Sequence, residues 1–249
     1  MSDALTFSNP KVQRLRRLMG RRSARLDEGA FVVESPSLIA DAVAAGWEVE
    51  AIFVADGAWT YVPPADVAVF ELGPNVMERV ASTETPQPAL AVVKRRTAPV
   101  SVLASADFVL VADRVGDPGN AGTLLRSAEA AGADAVVFTA GSVDAFNTKT
   151  VRASAGSLFH VPVVVDASLD DVSSAGLRRL GTSSHHGTPY TVADLSGRIA
   201  IVVGNEAHGL GDDTDVDEWL TIPHRGRSES LNVAMAATVL AFEAARQRE

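Results

Sequence analysis

The sequence predicts a two-domain α/β protein whose C-terminal domain contains a parallel sheet covered by helices on both faces. Short apolar runs typical of buried strands recur through the second half of the chain, at 108–112, 135–138, 161–165 and 199–203. Helical patterns separate these runs, as in βαβ units. The Pro-containing, non-periodic segment 97–101 interrupts the alternation and is typical of a linker.

The first domain is predicted to be a smaller α/β unit. Residues 10–22 have apolar side chains at helical spacing and arginines on the other face, which predicts an amphipathic helix. Ser35, followed by Pro36, is placed to cap a second helix that ends near Gly46. A further helix is predicted at 74–81, and strands at 31–33, 51–54, 67–70 and 89–93. We therefore place the first domain at 1–98, the linker at 99–105 and the second domain at 106–249.

Two helices of the second domain are expected to have polar caps. Asn120 is positioned to cap a helix over 121–131. Ser230 is positioned to cap a long last helix over 231–247, after a short strand at 220–222.

Composition restricts the class of protein. Hydrophobic residues make up 47% of the chain and charged residues 21%, which indicates a globular fold. The absence of cysteine excludes disulfides, thiolate metal sites and cysteine nucleophiles, and it fits a reducing compartment. We see no signal-peptide pattern and no apolar run of the roughly 18 residues that a membrane span needs. We expect a soluble cytoplasmic protein without membrane contact.

The charge is unevenly distributed. The net charge is −9, yet residues 1–30 carry seven Lys or Arg against three Asp or Glu, and 94–96 is a second basic cluster. A basic edge on an acidic body can bind RNA locally. The alternative is a solvated helix face and an ordinary charged linker. The RNA-binding candidates are Arg14, Arg17, Arg21, Arg22, Lys94 and Arg95.

The loop 116–122 follows a strand and opens a helix, as a dinucleotide-binding loop does. Its glycines are spaced G-x-x-G-x-x-G, however, and the acidic residue expected after the second strand is missing because Asp134 precedes that strand. By itself the loop predicts only a tight turn. Arg126, on the helix that follows, could hold a phosphate through its bidentate fork or pair with Glu129 three residues on.

Two later segments carry further polar residues. Glu206 lies in a glycine-containing turn just after the strand at 199–203, where a carboxylate can fix a neighbouring loop by charge-assisted hydrogen bonds. Ser230 and Asn232 open the last helix, where each could be a cap or a site residue. The pair His185-His186 lacks supporting cysteines and carboxylates, so no metal is expected.

Three parts of the chain together resemble, in order and spacing, the motifs of the SpoU family of RNA ribose 2′-O-methyltransferases. They are 117–129, 204–210 with Ile222-Pro223, and 230–234. This family belongs to the SPOUT class. The resemblance implies a deep trefoil knot in the C-terminal part of the sheet domain, S-adenosylmethionine as methyl donor, and a homodimer. A knot is otherwise nearly absent from proteins, and no periodicity predicts one.

The resemblance also assigns site residues. It implies that Arg126 orients the RNA and assists proton removal from the 2′-hydroxyl, although a guanidinium is a poor base. The residues that shape the catalytic site are then Asn120, Arg126, Glu206, Ser230 and Asn232. Those expected at the methyl donor are Gly204, Ile222, Leu231, Thr182 and Ser183. His224, after Ile222-Pro223, departs from the family pattern and could affect substrate selectivity.

The first domain resembles the small substrate-binding domain that often precedes SpoU catalytic domains and is similar to ribosomal proteins that hold kinked RNA. The similarity covers most of residues 8–95. It favours large-subunit ribosomal RNA as the substrate, with transfer RNA as the alternative. A non-catalytic RNA-binding protein of the same fold remains open, but such a protein is expected to lose Asn120, Arg126 or the pair Ser230 and Asn232, and all are present.

Overall fold

The computed structural model of this 249-residue chain describes residues 4–55, 63–65, 67–83, 85–227 and 230–248. They form two compact units with separate cores. The first unit contains 1–96 and 146–159, and the second contains 97–145 and 160–249. Each unit has its own sheet, of four strands in the first and seven in the second.

The elements follow one another as α1 (Pro10–Gly20), α2 (Arg22–Glu28), β1 (Ala30–Glu34), α3 (Pro36–Ala44), β2 (Val49–Ala55), β3 (Ala68–Leu72), α4 (Val76–Val80), β4 (Ala89–Lys94), β5 (Phe108–Ala112), α5 (Pro118–Ala130), β6 (Ala135–Thr139), α6 (Thr148–Ala153), β7 (Val163–Ala167), α7 (Leu169–Ser174), β8 (Arg178–Thr182), β9 (Thr188–Pro189), β10 (Ile199–Val203), β11 (Glu218–Thr221) and α8 (Val233–Arg246). Short 3₁₀ helices lie at Val100–Ser105 and Ser157–Phe159.

The sheet of the first unit has the order β1-β4-β2-β3. β4 runs antiparallel to both its neighbours, and β2 pairs with β3 in parallel. The apolar stripe predicted for the first helix is buried: Val12, Leu15 and Leu18 are all fully inaccessible and pack in the core of this unit. The stripe holds α1 on the sheet and leaves its basic face exposed to solvent.

A segment from later in the chain completes the first unit. Phe146 packs edge-on against Phe31 with ring centres 5.0 Å apart, and Trp47 Nε1 donates to the Phe159 carbonyl at 3.0 Å. Arg152 Nη1 donates to Glu34 Oε2 at 3.0 Å. Our domain boundaries placed residues 146–159 in the second domain, because no local pattern signals that a segment packs against a core far away in sequence.

The second unit is built on a parallel sheet of order β7-β6-β5-β10-β8-β11-β9. Every strand pair in it is parallel. β5, β6 and β10 are buried at every position, which is why they read as continuous apolar runs. The predicted parallel α/β sheet is therefore confirmed.

Two of the helix caps predicted from the sequence, those of α5 and α8, are wrong. α5 begins at Pro118, and Asp117 Oδ1 accepts a hydrogen bond from Asn120 N at 2.8 Å, so Asp117 and not Asn120 is the cap. α8 begins at Val233, and Asn232 Oδ1 accepts from Ala234 N at 3.0 Å, so Asn232 and not Ser230 is the cap. Asn120 instead lies in the first turn of α5, and Ser230 precedes α8.

Other segments differ from the sequence prediction in length or type. α2, α6 and α7 were not predicted, since none is longer than seven residues and short helices give little periodicity. The predicted linker 99–105 is largely the 3₁₀ helix at 100–105, whose Leu103 is fully buried in the core of the second unit. Within the described part of the chain, no helix is long and apolar enough to cross a membrane.

Candidate active site

The adjacency of β5 and β10 brings two loops together at the carboxyl edge of the sheet. Ala112 pairs with Val203 at the ends of these strands, and Asp113 N donates to the Val203 carbonyl at 2.8 Å. The loops that follow, 113–117 and 204–210, therefore start side by side although about 90 residues separate them in the chain. In open parallel sheets such crevices at the strand ends bind ligands.

Glu206 joins the two loops. Its Oε1 accepts from Asp117 N at 2.9 Å and from Asn120 Nδ2 at 3.0 Å, and its Oε2 accepts from Gly116 N at 3.0 Å. Partial burial acts to raise the pKa of Glu206, but these hydrogen bonds outweigh it, and the pKa lies below its ordinary value. Glu206 is therefore an ionised anchor with its acceptor sites engaged, which makes it a poor general base.

The turn around Glu206 is closed by its own backbone. Asn205 and Gly209 exchange hydrogen bonds of 3.2 and 2.8 Å, and Asn205 Nδ2 donates to the Arg114 carbonyl at 3.0 Å. A side chain at Gly204 would overlap the backbone of Gly209 and Leu210. Glycine is thus required at 204 by close approach of the chain to itself, and at Gly209 by a φ of +64°.

The start of α8 reaches the same place. Asn232 Nδ2 donates to Asn120 Oδ1 at 2.9 Å, while Asn232 Oδ1 caps its own helix. Asn120 in turn donates to Glu206. The hydrogen-bond network Glu206–Asn120–Asn232 therefore connects the three segments whose resemblance to a family was noted in the sequence. It also fixes the orientation of the Asn120 amide.

A cavity of about 630 Å³ opens beside this network. Leu210, Leu220, Ile222, Val233 and Leu240 supply apolar surface, and polar groups of the loops surround the rest. Nine of the ten catalytic and cofactor-binding residues predicted from sequence line it: Asn120, Thr182, Ser183, Gly204, Glu206, Ile222, Ser230, Leu231 and Asn232. The size and mixed lining are those of a pocket for a nucleoside-sized ligand.

Arg126 is the predicted site residue that does not line the cavity. It lies on the exposed side of α5 and forms no ion pair with another described residue. Its guanidinium is therefore available to a ligand that arrives from solvent, and the alternative role, a pairing with Glu129, is not formed among the described contacts.

The basic candidates of the first unit fall into different environments. Arg14 pairs with Glu28 and Glu50 at 2.6 and 2.8 Å, and Arg17 lies 3.5 Å from Glu28. Lys94 pairs with Glu48 at 2.6 Å, and Arg95 lies over the Phe146 ring. Arg21 and Arg22 are exposed. Their RNA-binding role stays a prediction.

Sequence reasoning missed several groups at this site. His185, His208 and Asp212 line the cavity without having been assigned to the site, and His224, which the sequence linked only to substrate selectivity, lines it too. Asp117 was not singled out, although it caps α5 and presents its N–H to Glu206. No local signal marks these residues, because only the strand order places them at one edge. Among the described residues, no group of three or more His, Cys, Asp or Glu could hold a metal ion.

The fold and the site define a class: a protein that binds a nucleoside-like ligand at the carboxyl edge of an open parallel sheet. Residues 107–242 match the model of the SpoU rRNA Methylase family, and residues 9–91 match that of the MRM3-like substrate binding domain. The first match covers more than half of the chain, and the protein therefore belongs to the SpoU rRNA methylase family. The family predicted from the sequence is confirmed.

Relatives match along nearly the whole chain. The 23S rRNA (guanosine(2553)-2′-O)-methyltransferase RlmP of Bacillus subtilis is 37% identical over 252 residues, which are 97% of this chain and 98% of the relative. The 23S rRNA (uridine(2479)-2′-O)-methyltransferase of Streptomyces viridochromogenes is 31% identical over 98% of this chain and 92% of the relative. The crystal structure of an AdoMet-bound rRNA methyltransferase from Sinorhizobium meliloti matches with a TM-score of 0.85 at 28% identity, covering 98% of this chain and 97% of that one.

Proposed function

We propose that this protein transfers a methyl group from S-adenosylmethionine to the 2′-oxygen of a ribose in 23S ribosomal RNA. The observation that carries the proposal is the network Glu206–Asn120–Asn232 at the edge of the cavity. Relatives named for this reaction match nearly the whole chain, which supports ribosomal over transfer RNA. The match of residues 9–91 to a substrate binding domain agrees with a structured RNA substrate.

The cavity fits the methyl donor. The donor supplies a methyl group on a sulfonium, which is activated for attack by an oxygen nucleophile. The apolar side chains of Leu220, Ile222 and Leu240 suit an adenine ring, and we propose that backbone at Gly204, Ile222 and Leu231, which line the same cavity, hydrogen-bonds it. Thr182 and Ser183 add hydroxyls at another wall of the same cavity.

Asn120 and Asn232 are proposed to hold the ribose. Each side-chain amide has two N–H donors and an oxygen with two lone pairs, and the network occupies only part of that capacity. The remaining donors and acceptors can contact sugar hydroxyls without disturbing Glu206. The Asn120 amide is hydrogen-bonded through both its nitrogen and its oxygen, so it meets the substrate in a fixed orientation. This lowers the entropy cost of positioning the nucleophile.

Arg126 is proposed to bind the RNA phosphate and to assist removal of the 2′-hydroxyl proton. The exposed, unpaired guanidinium offers a planar fork to phosphate oxygens. A nearby positive charge also favours the alkoxide that develops as the proton leaves. Glu206 is a weak candidate for the base, since its pKa is lowered and its oxygens are occupied.

Incubation with radiolabelled donor and separated bacterial RNA tests the proposal. Label in large-subunit RNA at an alkali-resistant linkage is the expected result, and Arg126→Ala should lose it. Label in transfer RNA alone would contradict the substrate. No label in naked RNA, ribosomal subunits or precursors would support a non-catalytic RNA-binding protein instead.

We also propose that the protein is a homodimer acting in the cytoplasm, where ribosomal RNA is processed. α8 exposes Met235, Val239 and Phe242, which recur every three or four residues on one side of the helix and are 63%, 37% and 49% accessible. Large apolar side chains on one helix face favour a protein partner. Sedimentation should give a dimer, and Phe242→Glu should shift it to monomer; a wild-type monomer at micromolar concentration would refute this.

The trefoil knot is a further proposal, which family membership supports. The strand order is compatible with it, because β8 lies between β10 and β11, which both follow it in the chain. Mechanical extension from both termini should stop short of the full contour length if the chain is knotted, and reach that length if it is not.

A further inference from the structure

Five described cations of the first unit lie over aromatic rings: Arg95 and Arg96 over Phe146 and Trp47, and Lys11, Arg16 and Arg79 over Phe7 and Phe70. The guanidinium carbons of Arg16 and Arg79 are 4.5 and 3.5 Å from the centre of the Phe7 ring, and Lys11 Nζ is 5.1 Å from that of Phe70. We call Phe7, Lys11, Arg16, Phe70 and Arg79 the aromatic-basic patch. None of its three cations forms an ion pair with a carboxylate of the described residues.

The Phe7 ring is held in place by the segment that carries it. Leu5 N donates to the Glu71 carbonyl at 2.7 Å, and Gly73 N donates to the Leu5 carbonyl at 2.9 Å, so this segment is fixed beside β3. Gln13 Nε2 donates to the Phe7 carbonyl at 2.5 Å. Phe7 and Phe70 also pack against the core of the first unit. The rings therefore form a rigid base for the cations.

Stacking orders an arginine without using its hydrogen-bond donors. The five N–H groups of a guanidinium lie in its plane, so contact through its face leaves them free. Arg16 Nη1 donates one hydrogen bond outside the patch, to Gln13 Oε1, and it is long at 3.3 Å. Lys11, Arg16 and Arg79 are all exposed to solvent. The patch thus presents oriented, unneutralised donors, which suit phosphate oxygens.

Neighbouring arginines on the same helix are different. Arg14 and Arg17 both approach Glu28, and Arg14 also pairs with Glu50. A phosphate would have to displace these carboxylates, and its favourable interaction with the arginine would be partly cancelled by the ion pairs that it breaks. α1 therefore carries two kinds of arginine: Arg14 and Arg17 approach carboxylates, whereas Arg16 lies over an aromatic ring and is available to an anion.

We propose that the aromatic-basic patch binds the phosphodiester backbone of the substrate RNA. This inference rests on the proposed function, since it names where the first unit contacts the RNA. Phosphate contacts position a protein on nucleic acid without reading sequence. The patch should therefore contribute affinity and strong salt dependence, and it should not select the nucleotide to be methylated.

Binding of a large-subunit rRNA transcript, measured without methyl donor over a range of salt concentrations, tests the patch. Removing one side chain that binds a phosphate should lower the slope of log affinity against log salt by about 0.7–0.9. The same exponent gives a loss of about five- to eightfold in affinity at 0.1 M salt for Arg16→Gln and for Arg79→Gln. The matched control is Arg178→Gln, which removes the same charge from the second unit, where Arg178 pairs with Glu218 at 3.1 Å, and should change affinity less than twofold.

Two further variants separate charge from orientation. Phe7→Leu keeps apolar packing but removes the ring face, so it should weaken binding while leaving the salt slope nearly unchanged. Arg16→Lys with Arg79→Lys keeps both charges and should recover most of the salt slope. Thermal unfolding of each variant confirms that it is folded.

Equal affinity and equal salt slope in the double variant Arg16→Gln with Arg79→Gln and in Arg178→Gln would overturn the proposal. So would a Phe7→Leu variant that is folded and binds as tightly as the wild type. The assay does not depend on methyl transfer. A wild-type protein that binds RNA through the patch but never methylates it would therefore refute the proposed function and leave this inference standing.

Discussion

Replacing Glu206 by glutamine tests the central claim about the site with almost no change in shape. The carboxylate accepts from Gly116 N, Asp117 N and Asn120 Nδ2 at 2.9–3.0 Å. A glutamine oxygen in the Oε1 position can keep the bonds from Asp117 and Asn120. Its amide nitrogen would then face the Gly116 N–H, so one acceptor is replaced by a donor and the negative charge is lost.

The structure sets the size of the effect. A hydrogen bond to a charged group contributes about 1.5–3 kcal/mol net, and the lower end applies because Glu206 is exposed at the surface. About 1.5 kcal/mol corresponds to roughly a tenfold change in rate. We expect Glu206→Gln to lower kcat/KM about tenfold, because the Asn120 amide is held less firmly, and to weaken donor binding only slightly.

Methyl transfer from labelled donor to rRNA, measured with both substrates varied, gives kcat/KM, and titration calorimetry gives donor affinity. Glu218→Gln is the matched control, since Glu218 belongs to the same unit, pairs with Arg178 at 3.1 Å and does not line the cavity. If Glu206→Gln and Glu218→Gln both retain kcat/KM within twofold of the wild type, Glu206 does not organise the site and the reasoning is refuted.

Three further predictions concern the same unit. Arg126→Ala should abolish methyl transfer while donor affinity stays within about twofold, as calorimetry can check; normal turnover would remove Arg126 from the mechanism. Asp117→Ala removes the cap of α5 and should lower the free energy of unfolding by about 1 kcal/mol in urea titrations, and an unchanged value would contradict its capping role. Because the folded pKa of Glu206 is lowered, its contribution to stability is present above the ordinary glutamate range and is lost as the pH falls through the folded value. The melting temperature of the wild type should therefore exceed that of Glu206→Gln at pH 7 and approach it in strong acid, and a pH-independent difference would be the contrary result.

Much of the second unit could be predicted from local sequence. The runs at 108–112, 135–138 and 199–203 became β5, β6 and β10 within one residue, since strands buried on both faces leave an unbroken apolar signal. The strand predicted at 161–165 was displaced by two residues, because Pro162 lacks the N–H that a ladder needs and β7 begins at Val163.

Helix starts were predicted less well. The choice between Asp117 and Asn120 as the cap of α5, and between Ser230 and Asn232 as that of α8, depends on which side chain meets a free backbone N–H. Each pair consists of good capping residues within three positions of each other, so propensity cannot separate them. The two residues that are not caps, Asn120 and Ser230, line the cavity.

The sequence by itself determined the alternation of strands and helices and the identity of the polar residues in three separated segments, because both are encoded in side chains a few positions apart. The tertiary structure decided which of those residues meet. β5 lies next to β10, so Glu206 reaches Asn120 across 86 residues, and α8 returns Asn232 to Asn120 across 112. It also placed residues 146–159 in the first unit and divided the basic residues of α1 between carboxylate and aromatic partners. Those outcomes follow from the burial of apolar strands and rings between segments far apart in the chain, and no local pattern contains that information.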